Sequence, residues 1–562
     1  MYRVKSVVLL CGVAVSLVCA KEESVEFKSM FAKHNQAAYI PSQCYTKTKD
    51  AHGVIHNPCF SCHINSKEPN YVDDAALQAL YPLSDYTKTN RFTNLFKDRS
   101  KAVAAIDDAT IDAYIAEDNY RKNNTLLLAE KLKHLPASWD VNGDGSWGGY
   151  VPDCYFDFDA HGFDKAPNGA YTRWRAFAYY PFLGTFWPTN GSTDDVLIRL
   201  HEDFAKDEKG VFDLEVYTLN LSIVEAMIKQ KDITIEPVDE QKYGLDLDKN
   251  GILGKASKIV YLWVKPRYDS KTQKLSDFSM SYVGLAKEKL SANTYFIAPG
   301  LYPKGTEFLH TVRYLGMDDK GRLLMTPRIK EVRYAKKTHW NHYGQLFNAV
   351  DAEAKEKAAF PDRLRSIAGD SEKGLVTGTG WVYQGFIEDA SGALRPQNHE
   401  ETLYCMGCHG GIGATTDTTF AFARKFDANT TLQGWYHWSQ EIKGFTDIPE
   451  PKTADGRDEY TLYLEQNHAG DEFRANTEVI EKFFDANGSL KSDEVARLHG
   501  DISHLIVPSD ARARMLNKAY RVIVQEQSFS KGRDAHVTPL EEVHQEVKPA
   551  SPTEVEVVEY AR

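Results

Sequence analysis

The sequence predicts an α+β fold in which mainly helical regions at both ends flank a β-rich central region. Helix-forming segments with apolar residues at three- and four-residue steps lie towards both ends. Short aromatic and β-branched runs, separated by Gly, Pro, Asn and Asp, fill the centre. A chain of 562 residues is long enough for several domains and a sizeable core.

A basic region and an apolar run open the chain. The run at residues 6–18 is too short for a comfortable membrane span and ends at a small-x-small sequence, Val18-Cys19-Ala20. These features predict a signal peptide over residues 1–20 that is cleaved during export. We therefore expect a periplasmic or secreted protein, and no later segment has the roughly 18 apolar residues of a spanning helix.

Lipid attachment at Cys19 is the alternative to simple cleavage. Ser16 and Val18 fit the lipobox of a lipoprotein signal badly. On the sequence, a lipoprotein is therefore the less favoured interpretation, and the mature chain is expected to have no transmembrane segment.

Changes in composition divide the rest of the chain into four regions. The helix-forming sequence "DDATIDAYIAEDNYRKNNTLLLAEKLKHL" characterises residues 21–135, and "TLNLSIVEAMIKQKD" predicts one helix within the β-rich residues 136–330. Helix signals return in residues 331–545, as in "YGQLFNAVDAEAKEKAAFPDRLRSIA" and "SDARARMLNKAYRVIVQEQSF". The Pro- and Glu-rich residues 546–562 predict a flexible tail.

Two Cys-x-x-Cys-His motifs carry the chemical signal of the sequence. They are Cys59, Cys62 and His63 in "PCFSCHIN", and Cys405, Cys408 and His409 in "YCMGCHGG". Two thiols at this spacing can form thioethers with the vinyl groups of haem, and the following histidine can bind the iron as its proximal ligand. A redox dithiol does not need the histidine, and a zinc site needs four ligands with short paired spacings.

These motifs resemble those of the c-type cytochromes, and the exported chain looks like a large secreted di-haem cytochrome. The resemblance implies two covalently attached haem c groups, one in each helical end region. It implies one-electron transfer and redox partner proteins. Bacterial di-haem peroxidases also carry two such motifs, but on adjacent helical domains in a shorter chain. The alternative is a di-haem enzyme, a peroxidase, oxidase or oxygenase, with one open haem.

The distal iron ligand would decide between carrier and enzyme. Methionines are poorly placed for it, since the first one after His63 is Met227. Histidines are the better candidates, namely His437, His339, His342, His52 and His56. A histidine near aromatic residues is more often a packed or surface residue than a ligand, so each has a structural alternative.

Two loops have the alternating oxygen ligands that suit Ca²⁺. The candidates are Asp140, Asn142 and Asp144 in "DVNGDGSWGG", and Asp246, Asp248 and Asn250 in "DLDKNGILG". Neither loop has the glutamate that completes an EF-hand, and Asp-Asn-Gly clusters also form ordinary turns.

Charge and the remaining cysteines limit other functions. The net charge is −12 with no dominant basic patch, so nucleic acid is not an expected partner. Cys44 and Cys154 lie outside the paired motifs, and export would permit a disulfide between them. Two unpaired buried thiols are the alternative, and the sequence does not indicate an oligomeric state.

Overall fold

The computed structural model describes residues 40–560, apart from 186, 319, 321, 364–365, 428–430, 439, 441–444 and 469–470. The predicted signal peptide and Cys19 lie outside the described residues. The strands are β1 (Leu80–Tyr81), β2 (Arg121–Lys122), β3 (Thr125–Leu126), β4 (Phe163–Lys165), β5 (Tyr171–Phe177), β6 (Thr193–Arg199), β7 (Ile233–Asp239), β8 (Lys255–Ile259), β9 (Arg267–Asp269), β10 (Lys274–Ser276), β11 (Glu307–Met317), β12 (Leu323–Lys337), β13 (Gly369–Asp370), β14 (Gly374–Val376), β15 (Trp381–Glu388), β16 (Leu394–Pro396) and β17 (Ser551–Pro552).

The α-helices are mostly short. They are α1 (Ser100–Ala104), α2 (Asp108–Ala116), α3 (Leu127–Lys133), α4 (Leu214–Lys229), α5 (Leu285–Ser291), α6 (Tyr343–Ala359), α7 (His399–Met406), α8 (Glu459–Asn467), α9 (Thr477–Phe483), α10 (Ser492–Gly500), α11 (Ser503–Ile506) and α12 (Asp510–Glu526).

A large antiparallel sheet organises the molecule. Within the described residues it has nine strands in the order β13-β14-β15-β12-β11-β6-β5-β4, with β16 paired to β15. The long hairpin β11–β12 forms its middle, and β6 and β15 pair with its two outer edges. Every residue of β6 is buried, because the sheet is covered on both faces.

Alternation along the strands sends neighbouring side chains into different cores. In β6, Val196 and Ile198 join the core that contains helix α4, whereas Leu197 joins the core built with residues 120–156. In β15, Trp381 and Tyr383 lie on the α4 side, together with Met406 of α7. This face of the sheet therefore supports the segment that carries the second Cys-x-x-Cys-His motif.

The predicted fold class is wrong. Instead of helical ends around a β-rich centre, the structure is mixed, with scattered helices around a sheet that continues into residues 369–396. Among the described residues before Ser100 the only helices are short 3-10 turns. Prolines such as Pro58, Pro69 and Pro82 help to explain this, because proline removes a backbone donor and disfavours helix in the residue before it.

Several elements do follow the sequence pattern. The central helix is confirmed as α4, and the two predicted C-terminal helices are confirmed as α6 and α12. In the predicted tail, β17 pairs with β1, so this segment lies against the N-terminal region. The boundaries at residues 135, 330 and 545 stay predictions, although the sheet has strands on both sides of 330.

Candidate functional site

Both Cys-x-x-Cys-His segments line one cavity of about 830 Å³. The first segment supplies Cys59, Cys62 and His63, and the second supplies His409. Helix α6 forms another part of the wall. Segments that are far apart in the sequence thus meet at one candidate site.

The first segment folds as a tight turn. Cys59–Ser61 form one 3-10 turn, and the backbone N–H of His63 donates to the carbonyl of Cys59 at 2.9 Å. The side chain of the buried Asn57 stabilises the turn with two hydrogen bonds. Its Oδ1 accepts from the N–H of Phe60, and its Nδ2 donates to Gln78. The turn places both thiols and the imidazole at the cavity wall.

Asp74 orients the imidazole of the first segment. Nδ1–H of His63 donates to Oδ2 of Asp74 at 2.9 Å, and the Asp74 side chain is only 5% exposed. A carboxylate at Nδ1 fixes the ring orientation and leaves Nε2 as the other functional nitrogen.

The second segment continues from helix α7. Asn398 caps the helix and forms a capping box with Glu401, each side chain accepting from the backbone N–H of the other. Cys405 lies in the last turn, and the N–H of His409 donates to its carbonyl at 3.1 Å. This backbone hydrogen bond therefore matches the one between His63 and Cys59 in the first segment.

Aromatic residues and a carbonyl fix the second imidazole. Nδ1–H of His409 donates to the carbonyl of Thr418 at 2.8 Å. Its ring lies 4.6 Å from the ring of Tyr383 and 5.6 Å from that of Phe420. Burial lowers the pKa of His409 to about 4, with Arg333 adding to the effect, so the imidazole is neutral at physiological pH.

The loop after His409 joins the two segments. The N–H of Gly413 donates to Oδ1 of Asp74 at 3.0 Å, and the N–H of Ala414 donates to the carbonyl of Cys62 at 3.1 Å. Nδ2 of Asn70 donates to the carbonyl of Ile412 at 2.8 Å. Asp74 therefore serves both segments, through one oxygen to each.

The packing at Gly413 is too tight for any side chain. A Cβ atom there would lie 1.9 Å from the carbonyl oxygen of Ile64. This backbone contact explains one of the glycines in "CHGGIG", because only glycine permits so close an approach.

Partial burial disfavours the thiolate form of these cysteines. It raises the pKa of Cys59 to about 12 and that of Cys408 to about 12, and it also raises the pKa of Cys44 and Cys405. A protonated thiol does not attack a disulfide, so the raised pKa values disfavour the redox-dithiol interpretation. Cys44 and Cys154 are free thiols rather than a disulfide.

The five histidines predicted as distal ligands lie elsewhere. His437 is buried, donates to Oδ2 of Asp195 at 2.7 Å and stacks on Phe158. None of the five lines the cavity described above: the others are His339 and His52, which are exposed, His342, which caps α6, and His56, which contacts Asp50. Their pairing and exposure correspond to the structural alternatives.

The two Asp/Asn loops differ in structure. In the first, Asp140 and Asp144 accept hydrogen bonds from the loop's own backbone, and Asn142 donates to Asp144. In the second, carboxylate oxygens of Asp246 and Asp248 come within 4.8 Å of each other and of one from the buried Glu240. Asn250 instead donates to Asp248. Cation binding by either loop stays a prediction.

Comparisons with known proteins identify the family to which the chain belongs. The model of a family described as "-like lipoprotein" matches residues 28–497, which is most of the chain. This chain therefore belongs to that lipoprotein family. An "Uncharacterized lipoprotein" of Aquifex aeolicus (strain VF5) is 29% identical over 585 aligned positions, covering 94% of this chain and 90% of the relative. No solved structure matches the chain.

Family membership corrects the predicted function. The prediction of a di-haem c-type cytochrome for one-electron transfer is wrong, as is its haem-enzyme alternative, because the family and the relative are described as lipoproteins. The prediction of two covalently attached haem c groups is wrong for the same reason. The structure agrees in one respect, since the part of the chain that it describes has scattered helices and not the predicted helical haem-binding ends.

The location is corrected in the same way. Membership of a lipoprotein family favours a cell-envelope protein held at a membrane, whereas the sequence alone favoured cleavage without lipid. Among the helices described between residues 40 and 560, none is long and apolar enough to cross a bilayer.

Sequence reasoning missed the residues that position the two motifs. Asp74 and Asn70 follow the first motif closely, in "EPNYVDDAAL", and a polar residue near a candidate histidine is a usable signal. Tyr383 belongs to strand β15, and no local pattern in the sequence connects it with His409.

Proposed function

We propose that this chain is a lipid-anchored envelope protein that binds a bulky, largely apolar small molecule between its two Cys-x-x-Cys-His segments. The observation that carries the proposal is the cavity of about 830 Å³ that both segments line. Small-molecule sites have volumes of about 300–1,000 Å³, so the space suits a molecule rather than a bare ion.

The cavity wall supports an apolar ligand. Side chains from distant parts of the chain supply its carbon surface, among them Tyr71, Leu83, Leu346, Val350, Val376 and Ile412. Charged residues of α6, including Glu356 and Lys357, lie on the exposed side of the wall. An apolar chamber with a charged mouth favours a ligand that leaves water when it binds.

The two imidazoles would give the ligand its polar contacts. Each has Nδ1 engaged, by Asp74 in His63 and by the carbonyl of Thr418 in His409. Each ring is therefore held in one orientation, and Nε2 is its remaining polar atom. Preorganised groups of this kind lose little conformational freedom when a ligand binds.

Anchoring would place this site at a membrane surface. Cys19 follows the apolar run of the leader and is the residue that we propose carries the lipid. Metabolic labelling with a fatty-acid analogue tests this step. Label in the wild-type chain and none in Cys19→Ala is expected; equal label in both would contradict attachment at Cys19.

Ligand binding is tested on the full-length protein purified from envelopes in mild detergent. Intact mass is measured under native and denaturing conditions, and an organic extract is analysed for a molecule released in stoichiometric amount. Val350→Trp would fill part of the cavity from α6, whereas Ala354→Trp changes an exposed residue of the same helix that does not line it.

We expect the wild type and Ala354→Trp to carry the molecule and Val350→Trp to lose most of it. A native mass equal to that of the processed chain alone would overturn the proposal. Equal occupancy in the two tryptophan variants would also overturn it, because the molecule would then be bound elsewhere.

A further inference from the structure

Residues 255–274, here called the basic segment, combine positive charge with exposed apolar side chains. The segment runs from β8 through Val260–Pro266 to the hairpin β9–β10. It has six basic residues and one acidic residue, which gives a local net charge of +5 in a chain whose net charge is −12. The basic residues are Lys255, Lys258, Lys265, Arg267, Lys271 and Lys274, and all are exposed.

The positive charge of the segment is accessible to a partner. Its ion pairs are long and open to solvent: Lys258 lies 3.7 Å from Asp232, and Arg267 lies 3.7 Å from Asp277, with all four side chains more than half exposed. Pairs of this kind contribute little to stability and break easily in favour of a stronger anionic partner.

Apolar side chains project into solvent between these charges. Leu262 is 50% exposed, Val264 is 56% exposed and Tyr268 is 59% exposed. The intervening Tyr261 and Trp263 are partly buried against the protein, so exposure alternates along the chain. One side of the segment therefore packs on the core, and the other side faces solvent.

We propose that the basic segment docks onto the surface of an anionic lipid bilayer. Lysine and arginine attract anionic headgroups, while Leu262, Val264 and Tyr268 enter the boundary between headgroups and acyl chains. The inference relies on membership of the lipoprotein family for proximity to a membrane and goes beyond ligand binding in the cavity. Docking would hold the lipid-anchored protein in one orientation on its membrane.

Vesicle co-sedimentation tests the proposal on the full-length chain with Cys19→Ser, which prevents lipid attachment. Vesicles of phosphatidylglycerol with phosphatidylcholine are compared with vesicles of phosphatidylcholine alone. The apolar run of the leader contributes to binding in both cases. Arg3 and Lys5 of the leader add to the difference between the vesicles, and this contribution is the same in all variants compared below. We expect stronger binding to the anionic vesicles, and a loss of that difference between about 0.05 M and about 0.5 M salt.

Charge reversal locates the docking surface. Lys265→Glu, Arg267→Glu and Lys271→Glu are combined in one variant; Lys101→Glu, Lys122→Glu and Lys209→Glu form a control with the same charge change at other exposed positions. We expect the first variant to lose at least about tenfold in partitioning to anionic vesicles and the control less than about twofold. Equal losses in the two variants would overturn the proposal.

A second pair of variants tests the apolar contact. Leu262→Ser with Val264→Ser should weaken binding to anionic vesicles by about tenfold, whereas Leu324→Ser with Val54→Ser, similarly exposed elsewhere, should not. All these side chains are exposed, and thermal melts report whether each variant keeps its fold. Equal binding of the wild type to anionic and neutral vesicles would overturn the proposal, even if an acidic protein is captured instead.

Discussion

The two Cys-x-x-Cys-His segments share a sequence pattern and a backbone turn, yet they are built into the protein differently. In both, the N–H of the histidine donates to the carbonyl of the first cysteine, at 2.9 Å for His63 and at 3.1 Å for His409. His63 then pairs with the carboxylate of Asp74, whereas His409 donates to the carbonyl of Thr418 and packs on Tyr383. The motif thus defines the local turn, and distant residues define its environment.

The difference sets the polarity around each imidazole, because Asp74 places a carboxylate at Nδ1 of His63, whereas His409 has a carbonyl and an aromatic ring beside it. The first segment therefore offers a ligand a ring with an anionic partner, and the second offers a neutral ring in an apolar wall. A ligand that contacts both rings would therefore lie in two different environments, one at each imidazole.

The contact that joins the segments has the largest expected effect on stability. Gly413→Ala places Cβ 1.9 Å from the carbonyl oxygen of Ile64, so the two backbones must separate. We expect the free energy of unfolding to fall by about 3 kcal/mol in a urea titration. Gly410→Ala is the control in the same loop, since its Cβ would meet the nearest atom at an ordinary 3.4 Å. Similar stability of the two variants would show that the segments are not held together at Gly413.

Removing the charge that serves both segments is next in size. Asp74→Asn keeps the shape of the side chain but weakens the hydrogen bonds to His63 and to the N–H of Gly413. We expect a loss of about 2 kcal/mol in the free energy of unfolding, since hydrogen bonds to a buried charged group are affected. The neighbouring Asp73→Asn, at an exposed position, should change it by less than about 0.5 kcal/mol. Equal effects would mean that Asp74 does not couple the segments.

The sequence allowed several helices and both motifs to be predicted, but not the surroundings of the motifs. Periodic apolar residues identified α4, α6 and α12, and the spacing of the cysteines identified both motifs. The predicted function nevertheless failed, because a five-residue motif carries no information about the rest of the fold. Nor does it reveal that Gly413 would contact Ile64, since that contact depends on long-range packing.

The cap of α7 tests how far the second segment depends on its helix. Asn398→Ala removes the side chain that accepts from the N–H of Glu401 and should cost about 1 kcal/mol of stability. Asn398→Ser keeps a capping oxygen and should restore most of the loss. If the geometry of the second segment depends on α7, Asn398→Ala should also reduce occupancy of the cavity in the native mass measurement. Unchanged stability would show that the sheet alone positions this segment.

At neutral pH the protonation of His409 has the smallest effect on stability, because the ring is then largely neutral in both the folded and the unfolded protein. Burial lowers its pKa to about 4, so the folded protein keeps this ring neutral while the unfolded chain protonates it below about pH 6.5. The unfolded state then binds more protons, and stability must fall as the pH drops from about 6.5 towards 4. NMR of histidine-labelled protein should show several rings that stay neutral at pH 5, among them those of His310 and His536, and one of these signals should be missing in His409→Gln. The same variant should lose part of the fall in stability that acid causes. An imidazolium signal from His409 at pH 5 would contradict the prediction, because it would show a ring in a wetter or more anionic environment than the carbonyl of Thr418 and the ring of Tyr383 provide.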